Sequence, residues 1–372
     1  MHTYLFELGA HPLISEAEIR AALPNLTHTE IRGHFLIASL TEETNCAELM
    51  KRLGGTIRIA EKLSLSPSPL ELSKHLDSLP ITSKIVFSVS GDNAKRLGIE
   101  TKKTLRNEGR SARYVEANNT ATILHNKLVD TETDFIVIGK DVFVTRAIQP
   151  IEALSKRDFE RPGRDAKSGM LPPKLAQMLI TLSGVAPSAE KTLLDPYCGS
   201  GTVLMEALLM GYGTLIGTDI SDRAVQDSQE NVDWLSGQSE HQANVQIFKE
   251  DIEKLATRLD PESVDVVAFE PYMGVPLFGN EPAELIMGQA KNLSTLYVSA
   301  FKQLHLVMKP GAVCVAIIPQ FMHEEKWVSL NCIPDILAIG FELSPLMGEH
   351  KSLLYHRDGQ HVGRAIWRFV KR

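Results

Sequence analysis

The sequence predicts an α/β protein whose C-terminal half is a Rossmann-like, doubly wound parallel sheet, preceded by an N-terminal α+β region. Three observations carry this. From Lys191 onward, short apolar runs alternate with helical segments, the order in which a parallel sheet covered on both faces is written. Within that half, LLDPYCGSGTVLMEAL (193–208) reads as an apolar strand ending in an acid, a turn with two glycines and an amphipathic helix. Upstream, KIVFSVS (84–90), a basic helix, ARYVE, a short helix around Ala121 to Leu128, DFIVIGK (134–140) and DVFVTRAIQ (141–149) read as a compact α+β unit.

The elements follow in order. Residues 1–80 form a further small α+β piece ending in the loop-like SLSPSPLELS, and 81–150 form the compact unit just described. Residues 150–170 are charged, hold proline and glycine, and lack periodicity, so a linker is expected there. Beyond it the strand candidates are TLLD (192–195), TLIGTD (214–219), VQIFK (245–249), VDVVAF (264–269) and AVCVAII (312–318). GTVLMEALLMG, DRAVQDSQENVDWL and LSTLYVSAFKQLHLVM lie between them, each with apolar residues at helical spacing. A helix around Lys326 to Ile339 is expected next, then two strands joined by a turn at Arg357 to Gln360, with RAIWRFV alternating as a half-buried strand.

A chain of 372 residues accommodates two or three domains, and 43% hydrophobic with 23% charged residues is ordinary globular composition. The N-terminal MHTYLFELGAHPLI lacks the basic flank and apolar run of a signal peptide, and no stretch approaches the roughly 18 apolar residues of a membrane span. A soluble, cytoplasmic protein is expected. Cys46, Cys198, Cys314 and Cys332 are scattered without CxxC spacing, which suggests reduced thiols and neither a disulfide framework nor a metal site. Trp234, Trp327 and Trp367 sit at helical or strand spacing and read as packing residues.

A net charge of −7 argues at first against a nucleic-acid partner, but the average hides an asymmetry. Residues 1–80 hold 7 basic and 10 acidic side chains, 81–170 hold 16 and 12, and 171–372 hold 16 and 24. Within the basic middle, residues 95–113 carry Lys95, Arg96, Lys102, Lys103, Arg106, Arg110 and Arg113 against Glu100 and Glu108. Two readings stand for this run: a solvated helix face, or a surface for phosphates.

The glycine turn carries the chemistry. Gly199 and Gly201 let backbone approach a ligand closely at the carboxyl end of the first strand, where open α/β sheets bind cofactors. Asp219 closes the next strand, placed to accept both hydroxyls of a ribose, and Asp251 follows the third, within reach of a purine edge. A nicotinamide or flavin site would use Asp219 equally well. Two details weigh against it: Leu204 stands where GxGxxG needs its last glycine, and Asp195 precedes the turn where a pyrophosphate would be repelled. S-adenosylmethionine has no phosphate and carries a cationic amino-acid end, so a carboxylate suits it.

RDFERPGRDAKSGMLPPKLAQMLI (157–180) followed by LLDPYCGSGT resembles the THUMP-domain tRNA guanine-N2 methyltransferases, the group that methylates guanosine 10 of tRNA. KTLRNEGRSARYVE followed by ATILHNK is similar to the THUMP domain's own pattern, and YHRDGQHVGRAI to the family's C-terminal hairpin. The resemblance covers roughly residues 80–372, with 1–80 corresponding to a ferredoxin-like part. It implies a class I methyltransferase domain over 171–372 with a seven-stranded sheet, a THUMP RNA-binding domain over 81–150, S-adenosyl-L-methionine as cofactor, no metal, and tRNA as partner, with an accessory protein subunit left open. Asp195, Gly199, Ser200, Gly201 and Thr202 would line the methionine end, Asp219 the ribose and Asp251 the adenine. Pro172, Pro173 and Lys174 would open the helix packed beside the cofactor, and Arg161 and Asp165 would fix the linker.

One departure stands out. The family's target-base motif after the fourth strand is D-P-P-[FY], whereas Phe269 is followed here by Glu270, Pro271 and Tyr272. A guanine amine is a poor nucleophile, so an acceptor must localise its lone pair while an aromatic face holds the flipped base. Tyr272 suits the stacking role, and Glu270 that of acceptor and eventual base. Amino methylation of adenine in RNA, and a catalytically degenerate RNA-binding or assembly module of the same fold, are the alternatives the altered motif leaves open.

Overall fold

The computed structural model describes residues 1–164 and 170–372, and the chain divides into two compact units. The first comprises Met1–Pro12, Leu23–Lys51 and Gly55–Ala153; the second comprises Leu13–Ala22, Arg52–Gly54 and Leu154–Arg372.

In chain order the N-terminal elements are β1 (His2–Leu8), α1 (Pro12–Ala22), β2 (His28–Arg32), β3 (Phe35–Leu40), α2 (Cys46–Arg52), β4 (Thr56–Leu63), α3 (Pro69–Ser78), β5 (Ile85–Gly91), α4 (Ala94–Asn107), β6 (Ala112–Val115), α5 (Thr120–His125), β7 (Asp134–Ile138), β8 (Asp141–Ile148) and α6 (Ile151–Phe159). All eight strands join one sheet in the order β2-β3-β1-β4-β8-β7-β5-β6. The boundary expected at residue 80 falls between α3 and β5, and the sheet takes strands from both sides of it. β4 and β8 make the junction, running antiparallel with Glu61 opposite Val144. Buried Arg58 of β4 reaches Glu7 of β1 and, at 3.0 Å, Asp134 of β7, while Ser88 of β5 and Thr145 of β8 also bond Asp134. A buried cation needs such compensation, and here it comes from neighbouring strands.

α1 belongs to the second unit although it lies early in the chain, because its Ile14 and Ala17 enter that unit's core. The Arg52–Gly54 turn does so too: the Gly54 N–H donates to Glu18 (2.7 Å) and the Arg52 carbonyl accepts from Thr181 (2.7 Å). Residues 151–159, expected to be linker, are the helix α6. A short charged segment hides its period, yet Leu154 and Arg157 share one buried face at i, i+3.

The remaining elements are α7 (Pro173–Leu182), β9 (Thr192–Asp195), α8 (Thr202–Met210), β10 (Thr214–Asp219), α9 (Asp222–Ser236), β11 (Asn244–Lys249), a short 3-10 helix (Ile252–Thr257), β12 (Val264–Phe269), α10 (Ala283–Val307), β13 (Met308–His323), β14 (Lys326–Ser329), α11 (Ile333–Ile339), β15 (Phe341–Leu343), β16 (Ser352–Tyr355) and β17 (Val362–Lys371). The main sheet runs β11-β10-β9-β12-β13-β17-β15, a seven-strand path to which β14 adds on β13 and β16 on β17. β11 to β13 are parallel, and β17 enters antiparallel, with Val313 opposite Val370. β12 is buried at every position, as a central parallel strand covered on both faces must be. One core cluster packs α7 and α8 on one face and another packs α10 on the other, so Leu193 and Leu194 enter different clusters, as strand alternation requires.

The helix expected from Lys326 begins only at Ile333. Lys326–Ser329 instead forms β14 opposite Gln320 to His323, turning back at Glu324 and Glu325, which both have positive φ. All three tryptophans are half-buried against neighbours: Trp234 under the Lys156 ammonium, Trp327 beside His356, and Trp367 stacked on Phe369. The four cysteines are free and buried, and burial pushes the Cys46 and Cys332 thiols up to about 11. Among the described residues no helix is long and apolar enough to cross a membrane.

Candidate functional site

The carboxyl ends of β9, β10 and β12 lie side by side, with Gly217 paired to Asp195 and Val267 to Leu194. Three of the predicted acids meet there. Asp195 is only 2% exposed and accepts the Tyr197 N–H at 3.1 Å. Burial, above all, holds its pKa well above the ordinary carboxylate value, and the charges of Asp219 and Glu270 push the same way. Acids crowded at buried strand ends repel one another and favour a cationic ligand.

Asp219 fastens the turn to β10. Its Oδ2 accepts the Gly199 N–H at 3.1 Å and its Oδ1 the Ser221 N–H at 2.9 Å, while the Cys198 N–H donates to the Thr218 carbonyl at 2.9 Å. An ionised carboxylate has about four lone-pair directions, so room remains for two hydroxyls. The glycines are required for different reasons. At Gly201, with φ +78°, an added Cβ would lie 2.5 Å from Ser228 Oγ; at Gly199, with φ +49°, a Cβ would meet nothing within 4 Å. The space above Gly199 is open, and a side chain there would project into it.

Ser200 and Thr202 are held by residues outside the turn. The Ser200 carbonyl accepts from Asn231 of α9 at 2.8 Å, and Thr202 Oγ1 accepts from Arg161 at 2.6 Å. Asn231 also exchanges bonds of 2.8 Å with both backbone groups of Gly163, so the RPG segment is stapled to the same turn. Asp251 begins the 3-10 helix, its Oδ1 accepting the Glu253 N–H at 3.1 Å, one strand beyond Asp219. Pro172 caps α7 and Pro173 opens it, while Lys174 is exposed. Among the described residues no hydrogen bond joins Pro172 or Lys174 to the acid cluster. Asp165 lies outside the described residues.

After β12, the Glu270 carboxylate meets Arg364 of β17 at 2.5 Å. One of its oxygens is therefore spent on a cation that sequence reasoning does not assign to the site. The Tyr272 carbonyl accepts from the buried Tyr297 hydroxyl at 2.7 Å, which leaves the Tyr272 ring 58% exposed on a pinned backbone. Pro271 is buried between them. Sequence reasoning passes over two further residues. Ile220 is 66% exposed directly after Asp219, an apolar surface beside a ribose-competent acid, and its signal is an isoleucine just past the end of a strand. Tyr197 stacks on Phe269 at 5.6 Å, and its buried hydroxyl has no hydrogen-bond partner among the described residues.

The basic residues lie in the first unit. α4 buries Leu97, Thr101 and Leu105 and exposes Arg96, Lys103 and Arg106, with Lys102 half-buried and Arg113 outward on the edge strand β6. Lys95 pairs with Glu116 at 3.1 Å. Arg110 pairs with Asp77 at 2.6 Å and donates to the Ile81 carbonyl at 2.8 Å, clipping α3 and its following loop to the end of α4.

The strand order, with its antiparallel β17 between β13 and β15, and the acid-glycine-acid site at the carboxyl ends of β9 and β10 define a class I methyltransferase domain. Residues 161–334 match the family model UPF0020, described as the RMKL-like methyltransferase domain. The chain is 37% identical over 120 residues to the tRNA (guanine(10)-N2)-dimethyltransferase of Methanothermobacter thermautotrophicus, covering 32% of this chain and 31% of that protein. It is 33% identical over 103 residues to a protein of Methanothermococcus thermolithotrophicus named "Probable tRNA (guanine(10)-N2)-dimethyltransferase", covering 27% and 61%. The matched stretch thus spans less than a third of the first of these relatives. The crystal structure of TrmN from Thermus thermophilus is similar over 100% of both chains, with a TM-score of 0.51 at 17% identity, and supports the fold.

Proposed function

We propose that the chain transfers a methyl group from S-adenosyl-L-methionine to the exocyclic N2 amine of a guanosine in tRNA, with position 10 the favoured site. The observation that carries this is the pairing of the Asp195–Thr202 turn and Asp219, which fit a cationic, phosphate-free nucleoside cofactor, with the exposed ring of Tyr272 at the end of β12. Asp219 would hold the ribose, Ile220 and Asp251 the adenine, and Asp195 the ammonium. When bound, the cofactor supplies the electrophilic methyl group. The chain positions the amine: Tyr272 holds the base by stacking, and the backbone carbonyls of Glu270 and Pro271 serve as acceptors that turn the lone pair toward the methyl group.

In the same reading, residues 1–80 are a ferredoxin-like part and 81–150 a THUMP domain, whose Arg96, Lys102, Lys103, Arg106 and Arg113 bind tRNA phosphates in the cytoplasm. Lys95 and Arg110, already paired, contribute less. The names of the two relatives support the substrate class. Mass spectrometry of tRNA nucleosides from a strain lacking the gene tests the proposal. Loss of N2-methylguanosine or its dimethyl form supports it, loss of an N6-methyladenosine supports adenine methylation, and no change supports the binding module.

A further inference from the structure

We infer that Arg161 is the binding residue for the α-carboxylate of the cofactor's amino-acid end, an inference that rests on the cofactor reading above. Arg161 is 2% exposed and is the largest fully buried side chain among the described residues. Burial of this kind is ordinarily matched by a carboxylate. Here one terminal nitrogen donates to Thr202 Oγ1 at 2.6 Å and the other touches the Met170 thioether at 2.8 Å, while the Nε–H is buried without a partner among the described residues. Neither the hydroxyl nor the thioether carries charge.

Among the described residues, nearby anions do not fill the gap. Glu206, one turn along α8 from Thr202, is fully engaged: Arg157 grips both of its oxygens at 2.6 and 3.0 Å, and Gln177 adds a third bond at 2.9 Å. Asp158 lies close enough for its charge to be felt at Arg161 without closing an ion pair with it. Burial, above all, lowers the guanidinium's pKa, and an anion beside it would act against that shift.

The location decides which anion. Arg161 bonds Thr202, the first residue of α8, so it stands at the helix N-terminus, at the end of the turn that is open at Gly199 three residues earlier. Asp195 lies at the other end of that turn. A zwitterionic amino-acid group needs a carboxylate for its ammonium and a cation for its carboxylate, and this turn offers one of each. Arginine suits the second role because its remaining N–H donors form a fork matching two carboxylate oxygens.

The test measures binding by calorimetry on the full chain with two probes: S-adenosylhomocysteine, which keeps the amino-acid end, and 5′-methylthioadenosine, which lacks it. Arg161→Met is expected to weaken S-adenosylhomocysteine by about tenfold or more while leaving 5′-methylthioadenosine within about twofold, and Arg161→Lys to restore part of the loss. The ligand-free Arg161→Met chain is expected to melt no lower than wild type, since an unmatched buried charge has been removed. Equal losses on both probes, or unchanged S-adenosylhomocysteine affinity, overturn the inference while the cofactor reading stands. A wild-type chain that binds neither probe overturns both.

Discussion

Arg364 Nε lies 2.5 Å from Glu270 Oε1, so the C-terminal hairpin grips the loop that follows β12 through one ion pair. Both side chains are mostly covered, at 22% and 15% exposure, and a partly buried pair is worth more than a surface one. This places Glu270 in the architecture of the loop that follows β12. Glu270→Gln is expected to slow single-turnover methylation by only about tenfold, the scale of a displaced positioning group, with Arg364→Gln matching it. Additive losses in the double variant would show that the two residues act separately; a double variant no worse than either single one shows that the pair is the unit.

Asp219 fixes the turn and, under the proposed reading, holds the ribose, so its removal acts twice. Asp219→Ala should weaken S-adenosylhomocysteine by about 1–3 kcal/mol in calorimetry, the scale of a hydrogen bond to a charged group. Asp219→Asn keeps one acceptor oxygen and should lose less. Unchanged affinity in Asp219→Ala would remove the residue from the site.

Asp195 makes the ligand-free chain sensitive to pH. Its folded pKa is raised, so its contribution to stability is whole below the ordinary carboxylate value and is lost as pH rises through the folded value. Denaturant melts of the free protein across that window should show stability falling with pH in wild type and a shallower fall in Asp195→Asn. Adding S-adenosylhomocysteine, whose ammonium pairs with the ionised acid, should recover stability most at the high end. An Asp195→Asn curve parallel to wild type would assign the slope to other groups.

How much of the fold and site is legible in the sequence depends on whether a residue's role is local. TLLD, TLIGTD and VDVVAF match their strands at both ends because apolar runs closed by acids and glycines mark parallel strands by themselves. The acid-glycine-acid geometry follows from the same stretch. What stays hidden is long-range. Arg364 lies 94 residues from Glu270, Arg58 lies 76 from Asp134, and nothing near either arginine names its partner. α1 reads as a local helix, but its membership in the second unit depends on what Ile14 and Ala17 touch. β14 reads as helix in the sequence because KWVS gains its strand character only by pairing with β13.

Arg58 offers a stability test in the first unit. It joins Glu7 and Asp134 with 6% exposure, and truncation would leave two covered carboxylates without their cation. Arg58→Ala is expected to cost about 3–5 kcal/mol in denaturant unfolding of that unit, whereas Arg32→Ala, which removes an exposed pair with Glu30, should change little. A loss at Arg58 no larger than at Arg32 would show that the buried network carries no net stability.

The basic segment separates by what each side chain already touches. Arg110 is committed to Asp77 and Ile81, so Arg110→Ala should lower the melting temperature with little change in tRNA affinity. Lys103→Glu and Arg106→Glu, on the exposed face of α4, should weaken tRNA binding while leaving the fold intact. Every phosphate left unneutralised by a reversal lowers the slope of log K against log salt by about one. If both reversals leave tRNA affinity and its salt slope untouched, α4 is a solvated face and the phosphate surface lies elsewhere.

Tyr272 carries the sharpest catalytic test because its backbone and its ring have separate tasks. The backbone is fixed from below: buried Tyr297 donates its hydroxyl to the Tyr272 carbonyl at 2.7 Å, and Gln289 of α10 accepts the Val275 N–H at 3.0 Å three residues on. The ring is 58% exposed, and under the proposed reading it stacks on a base. Under the proposed reaction Tyr272→Ala should cut single-turnover methylation of tRNA by about a hundredfold while S-adenosylhomocysteine affinity stays near wild type, and Tyr272→Phe should retain most activity because the aromatic face is kept. Tyr297→Phe removes only the bond to the carbonyl and should give an intermediate loss, since the ring's support loosens without the ring being lost. A Tyr272→Phe chain as slow as Tyr272→Ala would assign the role to the hydroxyl and refute stacking, and full activity in Tyr272→Ala would take the residue out of the reaction.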